Sequence, residues 1–200
     1  GVSQPGHSSR VDHGENLGDH GLMDHMFSVH ESIVHVPLLV RFPGGRPRGP
    51  EDGLVQTLDI FPTVMAVVEG DGHGEGGGSP GVRAQFQGVP LPPIGPPRDY
   101  AVSELRQVQP PIATLEKRYP DFSWRVYDRS LQALRTATHK YIRGSNGSEA
   151  LYDLTVDPAE TTDRLAAEPA RAAAMRAQLA AWQGSFTAAA AEEAGPGLDQ

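Results

Sequence analysis

The sequence contains no cysteine, few aromatic residues and no long apolar run. The absence of cysteine excludes disulfide bonds and leaves the cellular compartment open, as does the absence of a secretory signal pattern. No apolar stretch approaches the roughly 18 residues that a membrane-spanning helix requires. Basic residues are also scarce: 17 Lys and Arg stand against 25 Asp and Glu, which gives a formal net charge of −8. This acidity argues against nucleic acid or an anionic membrane as the main partner.

Glycine and proline are abundant instead, with 23 and 18 residues in a chain of 200. This share is above ordinary usage and predicts long loops around a modest core. The glycine-rich segment 70–81 neither follows a strand nor opens a helix, so it does not predict a phosphate-binding loop. The proline-rich segment that ends at Pro97 predicts a boundary between a first domain at 1–97 and a second at 98–183, with a flexible tail at 184–200.

Asp12 and His13 place a carboxylate beside an imidazole, and Gly14 follows directly. A divalent cation accepts such a pair, because carboxylate oxygen suits calcium or magnesium and imidazole suits zinc or manganese. The alternative is an aspartate in an Asx-turn next to a surface histidine. The preceding residues 1–10 are polar and turn-forming, and they do not predict a strand that leads into this pair.

Four histidines recur at every fifth residue: His20, His25, His30 and His35. A step of five rotates by about 140° around a helix and alternates faces along a strand, so no single element presents all four rings to one ion. The spacing therefore excludes a four-histidine metal site on one element.

Residues 12–44, DHGENLGDHGLMDHMFSVHESIVHVPLLVRFPG, resemble the second half of the sulfatase family in the alkaline-phosphatase-like superfamily. Three further segments match that family in order: LDIFPTVMAVVEG at 58–70, ALRTATHKYIRG at 133–144 and EALYDLTVDPAETTDRLA at 149–166. The resemblance implies an α/β fold class, α+β within this fragment. It implies the remnant of an alkaline-phosphatase-like α/β domain, followed by a small C-terminal antiparallel-sheet subdomain with a packed terminal helix.

The resemblance also implies a metal-dependent hydrolase of sulfate esters that acts on a small-molecule or glycan sulfate. Asp12 and His13 match the family's later pair of metal ligands, for a divalent ion expected to be calcium. His25 lies where many sulfatases have a sulfate-binding lysine, with a partly exposed helix-edge histidine as the alternative.

The family's formylglycine nucleophile, in a C/S-x-P-x-R motif, is absent from these 200 residues. No catalytic residue is therefore assigned, and the chain is expected to lack standalone activity unless the missing N-terminal half completes it. The alternatives are a phosphonate monoester hydrolase or phosphodiesterase of the same superfamily, and a catalytically inactive fragment.

Local patterns predict the individual elements. Ser28 and Glu31 fit a capping box for a short helix to Val34, and Asp59 fits the N-cap of a helix predicted over 54–70. Asp157-Pro158-Ala159-Glu160 fits a second capping pattern. The predicted strands are 36–42, 100–105, 124–127, 131–136, 140–143 and 149–154, with a turn at Asn146-Gly147, and a final helix is predicted at 169–183. His139 and Lys140 are expected on a solvated hairpin edge.

Overall fold

The computed structural model describes residues 7–10, 12–42, 49–69 and 87–193. The chain forms two compact units, Gly1–Gly14 with His35–Ala101 and Glu15–Val34 with Val102–Gln200. These are called the first and the second unit. The segment Glu15–Val34 thus belongs to a different unit from the residues on either side of it. None of the helices described in these ranges is long and apolar enough to cross a membrane.

In the first unit, strand β1 (His7–Arg10) pairs antiparallel with β4 (Leu38–Arg41). The polar composition of residues 1–10 gave no indication of β1, so its presence corrects the sequence-based expectation. β4 is shorter than the predicted strand 36–42. Pro37 precedes it and has no backbone N–H to donate to a ladder, so pairing begins at Leu38.

Helix α2 (Ile60–Glu69) follows a 3₁₀ turn at Thr57–Asp59. The predicted N-cap at Asp59 is wrong, because Gln56 occupies the N-cap and Asp59 completes a capping box with it. The Asp59 carboxylate accepts the backbone N–H of Gln56 at 2.8 Å and that of Val89 at 2.9 Å. It also forms an ion pair with Arg98. The buried aspartate therefore ties the helix start to residues 89–98.

The second unit is built on a four-stranded sheet in the order β5–β6–β7–β8, in which β7 pairs antiparallel with both β6 and β8. The strands are β5 (Tyr100–Leu105), β6 (Leu131–Thr136), β7 (His139–Gly144) and β8 (Glu149–Asp153). This confirms the predicted antiparallel sheet. Gly147 turns the chain between β7 and β8 with φ 84°, a conformation that favours glycine, as the Asn-Gly pair predicts.

The sheet is covered on both faces. Leu131, Ala133 and Ile142 form one buried face, against which Val29 and Val34 pack. Leu134, Tyr141 and Leu151 lie opposite one another in register on the other face and are fully buried. Alternation along each strand produces these two sets, since successive side chains point to opposite faces.

Helix α4 (Pro169–Glu193) closes the second unit. The sequence places Met175, Leu179 and Trp182 on one apolar stripe at i, i+4 and i+7. Met175 and Leu179 are buried, and Trp182 is half-buried. The helix runs beyond the predicted end at Gln183. The segment TAAAAEE that follows consists largely of strong helix formers, which outweigh the cost of Gly184 inside the helix. The helix predicted to start at Asp157 is absent from the described residues. The Asp157 carboxylate instead accepts the backbone N–H groups of Thr161 and Thr162 in a turn.

The predicted strand at 124–127 is wrong as well, because Trp124–Tyr127 forms a 3₁₀ turn after helix α3 (Ile112–Arg118). Its aromatic rings pack in a cluster instead of joining a ladder. The rings of Phe27 and Tyr127 are 4.8 Å apart, and those of Phe122 and Trp124 are 4.6 Å apart. Aromatic composition indicates a strand, but here contact with Phe27 decides the conformation.

Candidate active-site residues

Asp12 and His13 lie in the first unit, just after strand β1. Asp12 is exposed and His13 is half-buried. His13 Nδ1 lies 2.9 Å from the carbonyl oxygen of Gly14. A carbonyl only accepts, so this contact places the ring proton on Nδ1 and leaves the lone pair of the neutral ring on Nε2.

The donor set of this pair fits a divalent cation. The carboxylate of Asp12 supplies oxygen, and the tautomer of His13 supplies a nitrogen lone pair with the second ring nitrogen already hydrogen-bonded. Metal-bound histidines in proteins commonly donate their other ring N–H to a carbonyl or carboxylate in this way. The metal-ligand role of Asp12 and His13 remains a prediction.

His25 lies in the second unit, on a loop shaped by a two-residue hairpin. Strand β2 (Asn16–Leu17) pairs antiparallel with β3 (Met23–Asp24). Asn16 is fully buried and organises this loop. Its amide donates to the carbonyl oxygen of Asp24 at 3.0 Å and to Ser28 Oγ at 3.2 Å, and its carbonyl accepts from Ser32 Oγ at 2.7 Å.

Two carboxylates surround Nδ1 of His25. Glu15 Oε1 lies 2.8 Å away and Asp24 Oδ1 lies 2.7 Å away. Asp24 Oδ1 also accepts the backbone N–H of His25 at 2.6 Å. Because ionised carboxylates only accept, the proton resides on Nδ1, and a second proton added on Nε2 makes the ring a cationic donor. The side chain of His25 is 43% exposed, so an anion in solution can reach it. Its substrate-binding role is a prediction.

The expected capping box at Ser28 is not formed. Helix α1 (Glu31–Val34) begins three residues after Ser28, whose oxygen accepts the Asn16 amide. The Glu31 carboxylate does not turn back to the helix start, because Lys140 Nζ at 3.0 Å and Arg135 Nε at 3.1 Å donate to it. Long-range ion pairs thus replace the local cap.

Lys140 lies in a buried charge cluster with Glu31 and Glu160. Its Nζ is 3.0 Å from Glu31 Oε1 and 3.1 Å from Glu160 Oε1, and its side chain is 1% exposed. The expectation of a solvated edge for His139 and Lys140 is therefore wrong, since both are buried. Strand β7 lies between β6 and β8, so it is not an edge strand of the sheet.

Glu160 Oε2 accepts the backbone N–H of Glu31 at 2.6 Å. Burial alone would raise the pKa of Glu160, but His30, Lys140 and the Glu31 N–H together hold this pKa below its usual range. Glu160 is thus an anion that fixes the start of α1 to the segment after β8. The sequence contained one weak indication of this contact. Glu160 is the acidic residue of a capping pattern, but no helix follows that pattern in the described residues.

His20 and His30 are the histidines that come together in the second unit. Their rings stack with centroids 3.6 Å apart and an angle of 12° between planes. His25 pairs with carboxylates instead, and His35 is exposed on the first unit. The four histidines thus do not share one site in the described residues, in agreement with the argument from their spacing.

No family model matches the chain. It is 29% identical over 155 residues to arylsulfatase K of Canis lupus familiaris, an alignment of 76% of this chain and 26% of that protein. It is 27% identical over 167 residues to the multifunctional alkaline phosphatase superfamily protein PehA of Trinickia caryophylli, which covers 82% of this chain and 31% of PehA. The chain belongs to the sulfatase family. This sulfatase-family chain spans about a quarter to a third of the length of these relatives.

Solved structures agree with this assignment in fold. A putative sulfatase from Bacteroides thetaiotaomicron superposes with a TM-score of 0.63 at 21% identity, over 95% of this chain and 38% of that one. The phosphonate monoester hydrolase of Agrobacterium radiobacter gives a TM-score of 0.59 at 25% identity, over 86% and 34%. A third, solved with D-glucosamine-2-N,6-O-disulfate as its substrate, gives 0.58 at 19% identity, over 90% and 34%. The sulfatase fold implies a divalent metal, and Asp12 with His13 is a donor pair that fits one.

Proposed function

We propose that this chain supplies metal- and sulfate-binding residues to a sulfuric ester hydrolase. His25 would contact an anionic ester oxygen, and Asp12 with His13 would hold a divalent metal, calcium by the family's chemistry. The substrate class is a sulfate ester of a glycan or small molecule. The similarity to arylsulfatase K and to a solved protein with a disulfated sugar substrate supports this class.

The clamp on His25 carries this proposal. Glu15 and Asp24 both lie within 2.8 Å of Nδ1, so the ring is oriented and its proton position is fixed. A cationic imidazole held by carboxylates donates from Nε2 to an anion, much as a lysine ammonium would. The clamp therefore allows histidine to take the place where the family resemblance expects a lysine.

The metal would supply positive charge that neutralises the ester oxygens during hydrolysis. Asp12 contributes an oxygen ligand, which suits a hard ion such as calcium. His13 contributes Nε2, because the Gly14 carbonyl engages Nδ1–H. This arrangement leaves the chain's own residues to bind and orient the ester.

The covalent step needs a nucleophile that none of these 200 residues provides in the family's motif. We infer that hydrolysis requires a nucleophile-bearing segment in addition to this sequence. The chain by itself would bind metal and anion without turnover. In that case Asp12→Ala abolishes calcium binding measured by calorimetry, whereas His35→Ala, on an exposed histidine of the same unit, leaves it unchanged.

A phosphonate monoester hydrolase is the second candidate. Histidine at position 25 departs from the lysine expected in sulfatases, and the phosphonate hydrolase of Agrobacterium radiobacter has a similar fold. A sulfate monoester and a phosphonate monoester are both monoanions at neutral pH, so they differ in the central atom and its substituents and not in charge. The affinity of the chain for a sulfate ester, compared with its affinity for a phosphonate monoester, would separate the two candidate functions.

The test follows the His25 ring nitrogens by NMR while 4-nitrophenyl sulfate or phenyl phenylphosphonate is added to the full chain. Perturbation of Nε2 by the sulfate ester, lost in Glu15→Ala through a freed ring, would support the sulfatase assignment. A response to the phosphonate alone would favour the second candidate. If neither ester perturbs the ring at millimolar concentration, His25 is not the anion ligand.

A further inference from the structure

Two imidazoles and a buried carboxylate converge in the second unit. His20 lies on a 3₁₀ turn at Asp19–Gly21, His30 directly precedes α1, and Glu160 follows β8 in the chain. One ligand atom from each lies within 4.8 Å of the other two. We propose that His20, His30 and Glu160 form a binding site for a transition-metal ion of the zinc class, separate from the Asp12–His13 pair.

The stack brings two potential ligands of one ion next to each other. The centroids of His20 and His30 are 3.6 Å apart and the rings are nearly parallel. A ring nitrogen binds a metal along a lone pair in the ring plane, at about 2.0–2.1 Å for zinc. Binding of one ion by both rings therefore requires one imidazole to rotate out of the stack, and His20, which is exposed, has room to do so.

Two polar side-chain atoms of these residues are buried without a hydrogen bond. These are His30 Nδ1 and Glu160 Oε1. His30 Nδ1 lies 3.3 Å from Glu160 Oε2, and Lys140 Nζ lies 3.1 Å from Oε1, so both are within ion-pair distance without the angles of a hydrogen bond. Buried polar atoms are nearly always hydrogen-bonded, and an exception indicates a bound ion or water.

The backbone supports the same conclusion. His20 has φ 55° and Glu160 has φ 56°, in the left-handed region that side-chain-bearing residues rarely adopt. Such conformations carry a free-energy cost and concentrate at ligand sites. Here two of the three ligand-bearing residues adopt it.

The surrounding charges favour a cation. Asp19 and Asp157 interact electrostatically with His20, in addition to Glu160. Burial, and next the neighbouring His30, lowers the pKa of His20. Lys140 is the competing cation on Glu160, and it retains Glu31 Oε1 at 3.0 Å when a metal takes the Glu160 oxygen.

The ligand set determines which ions would bind. Two imidazoles and one carboxylate suit zinc, cobalt, nickel or copper, whereas calcium prefers six or more oxygen ligands. The His20–His30–Glu160 site should therefore discriminate against calcium. This preference separates it experimentally from a calcium-type site at Asp12.

The test uses the tag-free 200-residue chain carrying Asp12→Ala, which removes the hard-ion pair. Zinc is titrated by calorimetry with excess calcium present, and cobalt is titrated by its visible absorption. The proposal predicts one zinc per chain and an intense tetrahedral cobalt band. His20→Ala, an exposed position that should leave the fold intact by circular dichroism, should weaken zinc binding by at least about tenfold and remove the band. His35→Ala is the matched control and should change neither.

Three results would overturn the proposal. The first is an absence of zinc binding by the Asp12→Ala chain. The second is zinc affinity that survives in both His20→Ala and Glu160→Gln. The third is an equal loss of affinity in His20→Ala and His35→Ala, which would indicate diffuse binding by surface histidines.

Discussion

At the residue scale, Lys140 is the side chain on which the second unit most depends electrostatically. It lies between the carboxylates of Glu31 and Glu160 with almost no exposure. The three charges tie residues distant in sequence to strand β7. The cluster is thus a fixed support for the loop that carries His25.

Lys140→Met should lower the free energy of unfolding by about 3–5 kcal/mol, because it leaves two buried carboxylates without their shared cation. Urea denaturation followed by circular dichroism would measure the loss. Glu160→Gln in the Lys140→Met background should recover part of it by removing one uncompensated charge. Equal stability of the Lys140→Met and unsubstituted chains would show that the cluster is not electrostatically coupled.

Glu149 provides a prediction about pH. The Arg176 guanidinium donates to both of its oxygens and the Tyr141 hydroxyl donates at 2.7 Å, which lowers the pKa of Glu149 to about 2 from an ordinary 4.5. Because the folded-state pKa is depressed, the stabilisation is complete above pH 4.5 and is lost as pH falls toward 2.

Glu149→Gln should therefore cost stability at pH 7 and flatten the dependence between pH 4.5 and 2. The expected effect is only about 1 kcal/mol, since Arg176 is exposed and solvent screens the pair. Thermal unfolding across this pH range would measure it. A slope as steep in Glu149→Gln as in the unsubstituted chain would assign acid sensitivity to other carboxylates.

At the element scale, replacing glycine by alanine should change the stability in opposite directions at two positions where a Cβ has equal room. A Cβ at Gly147 or Gly184 would meet no atom within 4 Å. Gly147 has φ 84° in the β7–β8 turn, whereas Gly184 lies inside α4. Gly147→Ala should destabilise by about 1 kcal/mol, and Gly184→Ala should stabilise by up to about 1 kcal/mol. Melting temperatures that shift in the same direction would contradict this.

Sequence patterns predicted elements well where local chemistry decides them. Strands β6 to β8 alternate buried faces around an Asn-Gly turn, and α4 carries an apolar stripe, so both followed from the residues alone. Ser28, Asp59 and Asp157 were misassigned as helix caps for one shared reason. Each finds its partner in tertiary contacts or in a turn, and a capping motif does not reveal a partner such as Arg98 that lies 39 residues away.

The candidate site shows the same contrast between positions that the sequence marks and contacts that only the tertiary structure creates. Asp12, His13 and His25 could be named because the family resemblance marks their positions. The carboxylates on His25 could not be inferred, because the contact with Glu15 depends on a loop folded around Asn16. The pairing of His20 with His30 was hidden for a similar reason. Spacing arguments treat one element at a time, whereas a turn and the residue before a helix bring these rings together.

At the scale of the whole molecule, the two units differ in core content. Leu91 and Pro62 are the buried apolar side chains of the first unit among the described residues, and the others belong to the second unit. The first unit exposes Leu39, Phe61, Val64 and Val68 instead. Since burial of apolar surface dominates folding free energy, most of the stability should reside in the second unit.

Amide hydrogen exchange should therefore show strong protection in β6–β8 and rapid exchange in 38–41, a strand whose one partner among the described residues is β1. The unprotected strand would also be the aggregation-prone edge, so Val40→Lys should reduce light scattering on storage. The matched substitution Val156→Lys, at another exposed valine, should not. Protection of residues 38–41 equal to that of β7 would refute this ranking.

The charge cluster also has a consequence for biosynthesis. Glu31 is followed by Lys140 only 109 residues later, and its backbone meets Glu160 after 129 residues. At about 5–20 residues per second, a ribosome needs roughly 6–26 seconds to synthesise the stretch from Glu31 to Glu160. During this interval the nascent loop with His20, His25 and His30 lacks the contacts that shape it. The loop that carries these histidines can therefore take its final shape only after Glu160 has been synthesised, well after its own residues.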